Sequence, residues 1–391
     1  MSTDNIARKM LESSSPAPTS ARFHFEPVDT LGRGTFGKVV LARKYSLDCL
    51  ELGKDDNFVA VKVIPKSRIK TESQLRRTET ELRVLTEVAP LNQYLMSCSS
   101  AFQTDDFVFY VMECATGGDL RRYLSSNGKL TEGLTRRFAC QIAEGLLHLH
   151  HHGVLYRDLK PDNILMDDKM NLKLTDFGLS KFLERNARLS CMPNLFGASN
   201  MDWKMTRTAC GTPVYQCPEM VYGRPYSLEA DWWAFGNVIY EMLIGTPPFM
   251  ESTVEAVHSL IVANQLCIPR SLSKDAQNLI STLLHPKRTR RLGFGPMAAF
   301  QMRRHPFLSN PWIEEFSGSV HHNILDLSMA SFVSNNSYIP DFAAPSSKSV
   351  DISGCEKVSN DTFAKLVSTD SCQSIRSSSS SSCCSSLSMR S

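Results

Sequence analysis

Residues 156–163 read Tyr156-Arg157-Asp158-Leu159-Lys160-Pro161-Asp162-Asn163, four charged side chains among eight, and run straight into Ile164-Leu165-Met166. Thirteen residues after Asn163 comes Asp176-Phe177-Gly178. Asn163 and Asp176 are oxygen donors of the kind Mg²⁺ takes, since that ion binds few protein oxygens and keeps several waters. Asp158 can accept the proton of an attacking hydroxyl. Lys160, two residues on and on the same side of an extended loop, can neutralise a γ-phosphate. Phosphoryl transfer needs such parts: positioning, cationic clamps and a hydroxyl-orienting base. Taken alone, the stretch also reads as a polar surface turn with incidental charges.

Upstream, Leu31-Gly32-Arg33-Gly34-Thr35-Phe36-Gly37-Lys38-Val39 carries the spacing G-x-G-x-x-G. Glycines let backbone N–H groups approach phosphates with no clashing Cβ. A dinucleotide-binding fold uses the same spacing but needs a helix directly after the third glycine. Here the residues after Gly37, Lys38 to Lys44, are β-like. The next β-like run, Phe58 to Lys62, delivers Lys62, a point charge with three donors. A helix expected from about Ser73 to Val88 has Leu75, Leu82 and Leu85 at helical spacing and carries Glu81 on the edge of its buried face. Glu81 is the natural carboxylate to hold Lys62 in place and protonated. The blander readings are a glycine-rich hairpin with a surface lysine, and one surface glutamate among several.

The 391 residues divide into zones. Residues 1–22 are Ser/Pro-rich and expected to be disordered, as is the Ser-dominated stretch 345–391, which cannot bury enough surface to offset chain entropy. Residues 23–310 carry regular apolar patterns, β-like up to about 112 (FHFEPVDTL, KVVLARK, FVAVKVI, FVFYVME) and helical beyond. Leu134 to His150 presents Phe138, Ile142, Leu146 and Leu149 on one face, with Thr131 starting the helix and Gly153 stopping it. The expected architecture is an α+β bilobal one: a small β-rich lobe at 23–112, a connector at 113–118, and a larger helical lobe at 119–310.

Composition excludes several classes. The net charge of +3 makes no whole-chain case for nucleic-acid binding. The greasiest run, Trp232 to Phe249, is broken by Asn237, Glu241 and Gly245-Thr246-Pro247-Pro248, so it reads as a buried helix plus turn and not a membrane span. Residues 1–20 lack an apolar h-region, so no secretory signal is expected. The 12 cysteines show no repeated C-x-x-C pair, which suits a reducing compartment. The sequence suggests a cytoplasmic chain with a nuclear share if Lys287-Arg288-Thr289-Arg290-Arg291 serves as an import address; a structural turn is the plainer reading. His148-Leu149-His150-His151-His152 reads as a helix C-terminus before it reads as a metal cluster.

Together, G-x-G-x-x-G-x-V, Val59-Ala60-Val61-Lys62, a helix Glu, Tyr156-Arg157-Asp158-Leu159-Lys160-Pro161-x-Asn163, Asp176-Phe177-Gly178 and Cys217-Pro218-Glu219 resemble the protein-kinase signature set, in its order, over about residues 23–310. Lys160 resembles the serine/threonine class. Tyr156, TDFGLSK, Thr208-Ala209-Cys210-Gly211-Thr212-Pro213 and DWWAFG resemble the AGC group. LKLTDFGLSK and RLGFGP…RRHPF look most like its ribosomal-protein kinase branch.

The resemblance implies ATP and Mg²⁺ as cofactors, with Leu31 in the ATP site, Gly32, Gly34 and Gly37 over the phosphates and Lys62 on the α- and β-phosphates. It implies that Val39, Ala60 and Leu165 sandwich the adenine and that Met112 guards it. The Glu113 to Ala115 backbone would pair with the adenine edge, and Asp119 would meet the ribose. Asp158 would be the base, Lys160 would steady the transferring phosphate, and Asn163 and Asp176 would hold the metals. Asp119, Asp162 and Glu241 match positions that read arginines, implying protein substrates with basic residues before Ser/Thr. Thr208 matches the activation phosphosite, modified by an upstream kinase, with Arg157, Lys181 and Arg77 to receive the phosphate. Asp231 would brace the catalytic loop, Glu219 would pair with Arg291, and Thr212 would be a structural hydroxyl near Asp158 and Lys160.

The departures are a long stretch between Asp176 and Gly211, an insertion near Leu47 to Asp56, and Cys217 where the group has Ala. Tyr338 to Phe342 faintly resembles the middle of the group's C-terminal extension at 311–344, but no F-x-x-F follows. A non-catalytic scaffold of the same fold would lack Lys62, Asp158 or Asp176, and all three are present.

Overall fold

A computed structural model of the chain describes residues 23–34, 37–46, 58–184, 203–309, 350–351 and 356–357. Three expectations therefore lie outside the described residues: the N-terminal zone 1–22, the C-terminal extension 311–344, and the insertion near Leu47 to Asp56. Two compact units form.

The smaller unit takes its described residues from Met1–Thr86, Ser97–Cys114 and Ala344–Ser391. Its strands are β1 (Phe23–Arg33), β2 (Lys38–Ser46), β3 (Phe58–Pro65), β4 (Cys98–Gln103) and β5 (Phe107–Glu113), with helix α1 (Glu72–Arg83) between β3 and β4. All pair antiparallel in the order β1-β2-β3-β5-β4. A strand directly after Gly37 removes the dinucleotide-binding alternative, which needs a helix there. β4, Cys-Ser-Ser-Ala-Phe-Gln, was not legible because its serines interrupt any β-like apolar pattern. α1 stops at Arg83, short of the expected Val88, where the chain widens into a π turn over Val84–Val88.

Strand alternation sorts the faces. Val61 and Val63 of β3 join Phe25, Val40, Ala42, Phe102, Phe109 and Val111 in one core. The opposite face carries Ala60 and Lys62 of β3, and the register sets Met112 against Ala60, Tyr110 against Lys62 and Val39 against Lys62. α1 lies against that face, where the Tyr110 hydroxyl donates to the Thr78 carbonyl at 3.2 Å.

Within the Ser-rich zone expected to be without structure, β10 (Val350–Asp351) pairs with β1 and β11 (Glu356–Lys357) with β4, one on each edge of the sheet. An edge strand offers unpaired N–H and C=O groups to any chain, so a two-residue strand can add there without burying apolar side chains. Six flat inter-strand gaps would separate these outer strands by about 29 Å. Five Cα steps, from Asp351 to Glu356, reach about 18 Å at most. The sheet is therefore curled, and the Phe25 and Phe102 rings of β1 and β4 stack with centroids 6.1 Å apart.

The larger unit spans Glu87–Met96 and the described residues of Ala115–Ala343. It contains α2 (Leu120–Asn127), α3 (Glu132–His151), β6 (Val154–Leu155), β7 (Ile164–Met166), β8 (Leu172–Leu174), β9 (Lys181–Phe182), α4 (Pro218–Val221), α5 (Glu229–Ile244), α6 (Val254–Ala263), α7 (Lys274–Leu283) and α8 (Ala298–Arg304). β6 pairs with β9 and β7 with β8. α3 begins where the Thr131 hydroxyl accepts the Leu134 N–H and ends before Gly153 at φ 71°. α5 is buried nearly all round, with Trp232, Trp233, Phe235, Val238, Ile239 and Met242 fully buried beside the polar Asp231, Asn237 and Glu241, and ends at Gly245 with φ 96°. The run 87–96 joins this unit because Met96 N donates to Leu174 O at 2.8 Å, Leu174 N to Tyr94 O at 2.9 Å and Asn92 Nδ2 to Glu144 O at 3.4 Å. The fold is thus a β-rich unit and a mainly helical one, the α+β class that the apolar patterns imply.

Candidate active site

In the larger unit, β6 and β7 flank the turn that carries the charged octapeptide. Asp158 is buried and gathers three side chains. Lys160 Nζ donates to its Oδ2 at 2.9 Å, Asn163 Nδ2 to the same oxygen at 2.8 Å, and the Thr212 hydroxyl approaches Oδ1 at 3.4 Å. Lys160 Nζ also donates to Thr212 Oγ1 at 3.0 Å, tying the loop to the turn after Gly211. Gly211 has φ 86°, and a Cβ there would sit 2.6 Å from the Arg157 carbonyl oxygen. The surface-turn reading fails for Asp158 and Asn163, both of which are buried.

The loop is braced from α5. Buried Asp231 accepts the backbone N–H of Tyr156 at 2.9 Å and of Arg157 at 2.8 Å, and bonds His150 Nε2 at 2.8 Å. These charged hydrogen bonds hold Arg157 at the left-handed φ of 70°, a conformation an arginine seldom adopts. Tyr156 packs on Phe177, with ring centroids 5.6 Å apart. Burial, then the charges of Asp158, Asp176 and Asp231, push its phenol pKa well up, so it stays a neutral donor.

Thr175 N donates to Asn163 O at 3.0 Å, so Asp176 follows directly beside the octapeptide, exposed and at φ 56°. Asn163 spends its amide nitrogen on Asp158, which leaves the amide oxygen as the atom it can offer a cation. That donor set, one amide oxygen and one carboxylate, fits Mg²⁺. Among the described residues no three His, Cys, Asp or Glu side chains gather as a metal site.

In the smaller unit, Lys62 Nζ pairs with Glu81 Oε1 of α1, and Glu81 is buried. The glycine loop fits a phosphate-bearing ligand. A Cβ at Gly32 or Gly34 would meet nothing within 4 Å, so the protein itself gives no reason for a missing side chain there. At Gly37 the reason is structural: a Cβ would lie 2.0 Å from the Val63 carbonyl oxygen. Thr35 and Phe36 lie outside the described residues. Ala60 and Met112 are buried on the face that carries Lys62 and Val39, whereas Leu31 is exposed. Glu113 uses its carboxylate to accept from Ser97 N and Oγ at 3.2 and 3.3 Å. Arg77 sits half-buried on α1.

In the larger unit, the chain past Ala115 pairs with β7. Gly117 N donates to Met166 O at 2.9 Å and Met166 N to Gly118 O at 2.8 Å, which sets Asp119 opposite Leu165. Asp119 caps α2 by accepting the Arg122 N–H at 2.7 Å. Thr208 is exposed. Lys181 Nζ reaches Thr206 Oγ1 at 3.0 Å, two residues away from it, while Arg157 donates to the carbonyls of Leu179 and Ser180. Most of the long insertion before Thr208 lies outside the described residues. Its base is pinched where Lys204 N donates to Glu184 O at 2.8 Å, and Trp203 packs so closely on Gly153 that a Cβ there would clash at 2.4 Å. Glu219 and Arg291 form a buried two-pronged pair at 2.8 and 3.1 Å. Burial raises the Cys217 thiol pKa well above its ordinary value, so the cysteine at this motif is an inert apolar side chain.

The sequence reading missed Arg121. Nothing within a few residues of it in the sequence marks its role. Its guanidinium pairs with buried Glu241, reaches Asp162 at 3.3 Å and donates to the Tyr215 hydroxyl at 2.6 Å. Two of the three carboxylates implied for substrate arginines are thus engaged by an arginine of the chain. Burial works against the Arg121 charge, but the bond to Glu241 more than offsets it and the pKa rises.

The protein-kinase domain model matches residues 25–308, and the chain belongs to the protein kinase family. It is 33% identical over 298 residues to a RAC family serine/threonine-protein kinase homolog of Dictyostelium discoideum, covering 76% of this chain and 60% of that protein. It is 36% identical over 306 residues to ribosomal protein S6 kinase 2 alpha of Gallus gallus, covering 78% and 37%. Ribosomal protein S6 kinase alpha-3 of Homo sapiens is 35% identical over 300 residues, covering 76% and 37%. These relatives bear out the resemblance to the AGC group and its ribosomal-protein kinase branch. The chain spans 60% or less of the length of each.

Proposed function

We propose that this chain transfers the γ-phosphate of ATP to Ser/Thr hydroxyls of protein substrates. The observation that carries the reading is the buried Asp158 cluster, in which Lys160, Asn163 and Thr212 fix a carboxylate. A base must be held within hydrogen-bond reach of the proton it takes, and three bonds do that here. Asp158 orients the substrate hydroxyl and receives its proton. Lys160, on the same carboxylate, lends positive charge where the transferring group becomes more negative. Lys62, fixed by its ion pair with Glu81, binds the nucleotide phosphates as a cation. Gly32, Gly34 and Gly37 admit those phosphates to the backbone, and Val39, Ala60, Met112, Glu113, Ala115, Asp119 and Leu165 bind the nucleoside. Asn163 and Asp176 hold Mg²⁺, which supplies charge neutralisation on the phosphate oxygens.

Substrates carry basic residues before the target Ser/Thr and meet Asp119 and Asp162. An upstream kinase phosphorylates Thr208, whose exposure suits that role, and Arg157, Lys181 and Arg77 take the phosphate. Asp231, Glu219–Arg291 and Thr212 support the machinery without touching the reacting atoms. The described residues contain no helix long and apolar enough to cross a membrane. The test is transfer to Ser/Thr peptides before and after phosphatase treatment, beside Thr208→Ala. Activity that falls in both arms supports the reading. Activity indifferent to both removes Thr208 as the switch, and absence of transfer from fully phosphorylated protein removes the activity.

A further inference from the structure

The cluster at Glu241 is already complete. Both of its oxygens are taken: Oε1 by Arg121 Nη1, and Oε2 by the Tyr215 hydroxyl at 2.6 Å. Its side chain is 1% exposed, so nothing further can approach it. Each nitrogen of the Arg121 guanidinium also has a partner, Nε on Asp162 at 3.3 Å, Nη1 on Glu241 and Nη2 on Tyr215 at 2.6 Å. Asp162 differs: its side chain is 49% exposed and meets Arg121 through a single contact. An incoming guanidinium could reach Glu241 only by displacing Arg121, exchanging one buried ion pair for another with no net gain and leaving Arg121 to be resolvated. At Asp162 it would add to an open carboxylate.

We propose that Arg121 is a specificity-determining residue that fills the Glu241 subsite with a guanidinium of the chain itself. The kinase then takes substrates with a single upstream arginine, read at Asp162 and Asp119, and admits neutral side chains at the position Glu241 would otherwise read. This rests on the Ser/Thr kinase reading above. Removing Arg121 leaves Glu241 buried with the Tyr215 hydroxyl but no countercharge from Arg121, a state that an arginine from the substrate would relieve.

The test uses the full chain and Ser peptides carrying Arg or Gln singly at each of the four residues before Ser. Wild type is expected to prefer Arg more than tenfold in kcat/KM at no more than one position. Arg121→Met is expected to gain a second position with at least a tenfold Arg preference, and Arg121→Met with Glu241→Gln to lose it again. Arg121→Lys, which keeps a charge but not the fork, should fall between. Strong selection at two positions by wild type, or the same profile in Arg121→Met, would overturn the proposal. The ratio is read within one preparation, so partial loss of folded enzyme cancels. A second arm measures equilibrium binding of the same peptides with Ala for Ser, by anisotropy, and expects the same ordering. Phosphate transfer to no acceptor would count against the activity alone, since the binding arm still decides the subsite.

Discussion

Arg291 and Glu219 offer a quantitative test of what holds the end of the activation segment. The Arg291 side chain is 0% exposed and that of Glu219 7%, and the pair is joined at 2.8 and 3.1 Å. Arg291 also donates to the carbonyls of Glu229 and His285 at 3.0 and 3.3 Å and lies 5.1 Å over the Trp233 ring. Arg291→Met keeps most of the volume and removes the charge, which leaves the buried Glu219 carboxylate without its guanidinium and takes one donor from each of two carbonyls. Breaking one side of such a pair costs about 3–5 kcal/mol, mostly the desolvation of the charge left behind. At about 2–4 °C per kcal/mol for a unit of this size, the melting temperature should drop by roughly 6–20 °C. Glu219→Met should cost a similar amount. The double replacement should cost much less than the two singles summed, because no charge is then left unpaired. Urea denaturation of all four proteins supplies the cycle. Singles within about 0.5 kcal/mol of wild type would place this pair among surface-like interactions and refute the reasoning.

Three further outcomes follow from the same geometry. Asp231→Asn weakens the charged bonds to the Tyr156 and Arg157 N–H groups. The catalytic loop then shifts, so kcat should fall at least about tenfold while KM for ATP changes little, because a small misplacement is costly in catalysis and not in binding; an unchanged kcat would contradict the brace. Gly37→Ala, with its Cβ 2.0 Å from Val63 O, should destabilise by about 1–3 kcal/mol, whereas Gly32→Ala should leave stability unchanged and weaken Mg-ATP binding, both read by thermal shift with and without nucleotide. Burial lowers the His305 pKa, and its ring accepts the Phe307 N–H at 3.2 Å and pairs with Asn278 Oδ1 at 3.0 Å. The unfolded chain then binds the proton more readily, so this stability is full above about pH 6.5 and is lost as pH falls below it. His305→Gln should flatten the denaturation midpoint between pH 7.5 and 5.5.

What the sequence revealed and what it hid have physical reasons. The octapeptide, the glycine loop and Lys62 were legible because their chemistry is local: charge, spacing and a β-like run lie within a few residues. Face assignment was legible too, since alternation along Phe58–Pro65 alone puts Ala60 and Lys62 opposite the core valines. Contacts across long separations were not. Arg121 meets Glu241 across 120 residues, a separation no local pattern expresses. Residues 87–96 lie within the β-like half in sequence but hydrogen-bond to β8 and α3. The strands at Val350 and Glu356 exist because a curled sheet leaves two edges to pair, which composition cannot express.

Asp158 is the proposed group that handles the proton. Single-turnover transfer from Mg-ATP to a Ser peptide, comparing wild type with Asp158→Asn, addresses it most directly, with nucleotide affinity measured on both. Loss of the transfer step by at least about a hundredfold with nucleotide affinity unchanged is the predicted result. Transfer by Asp158→Asn within a few-fold of wild type would contradict it.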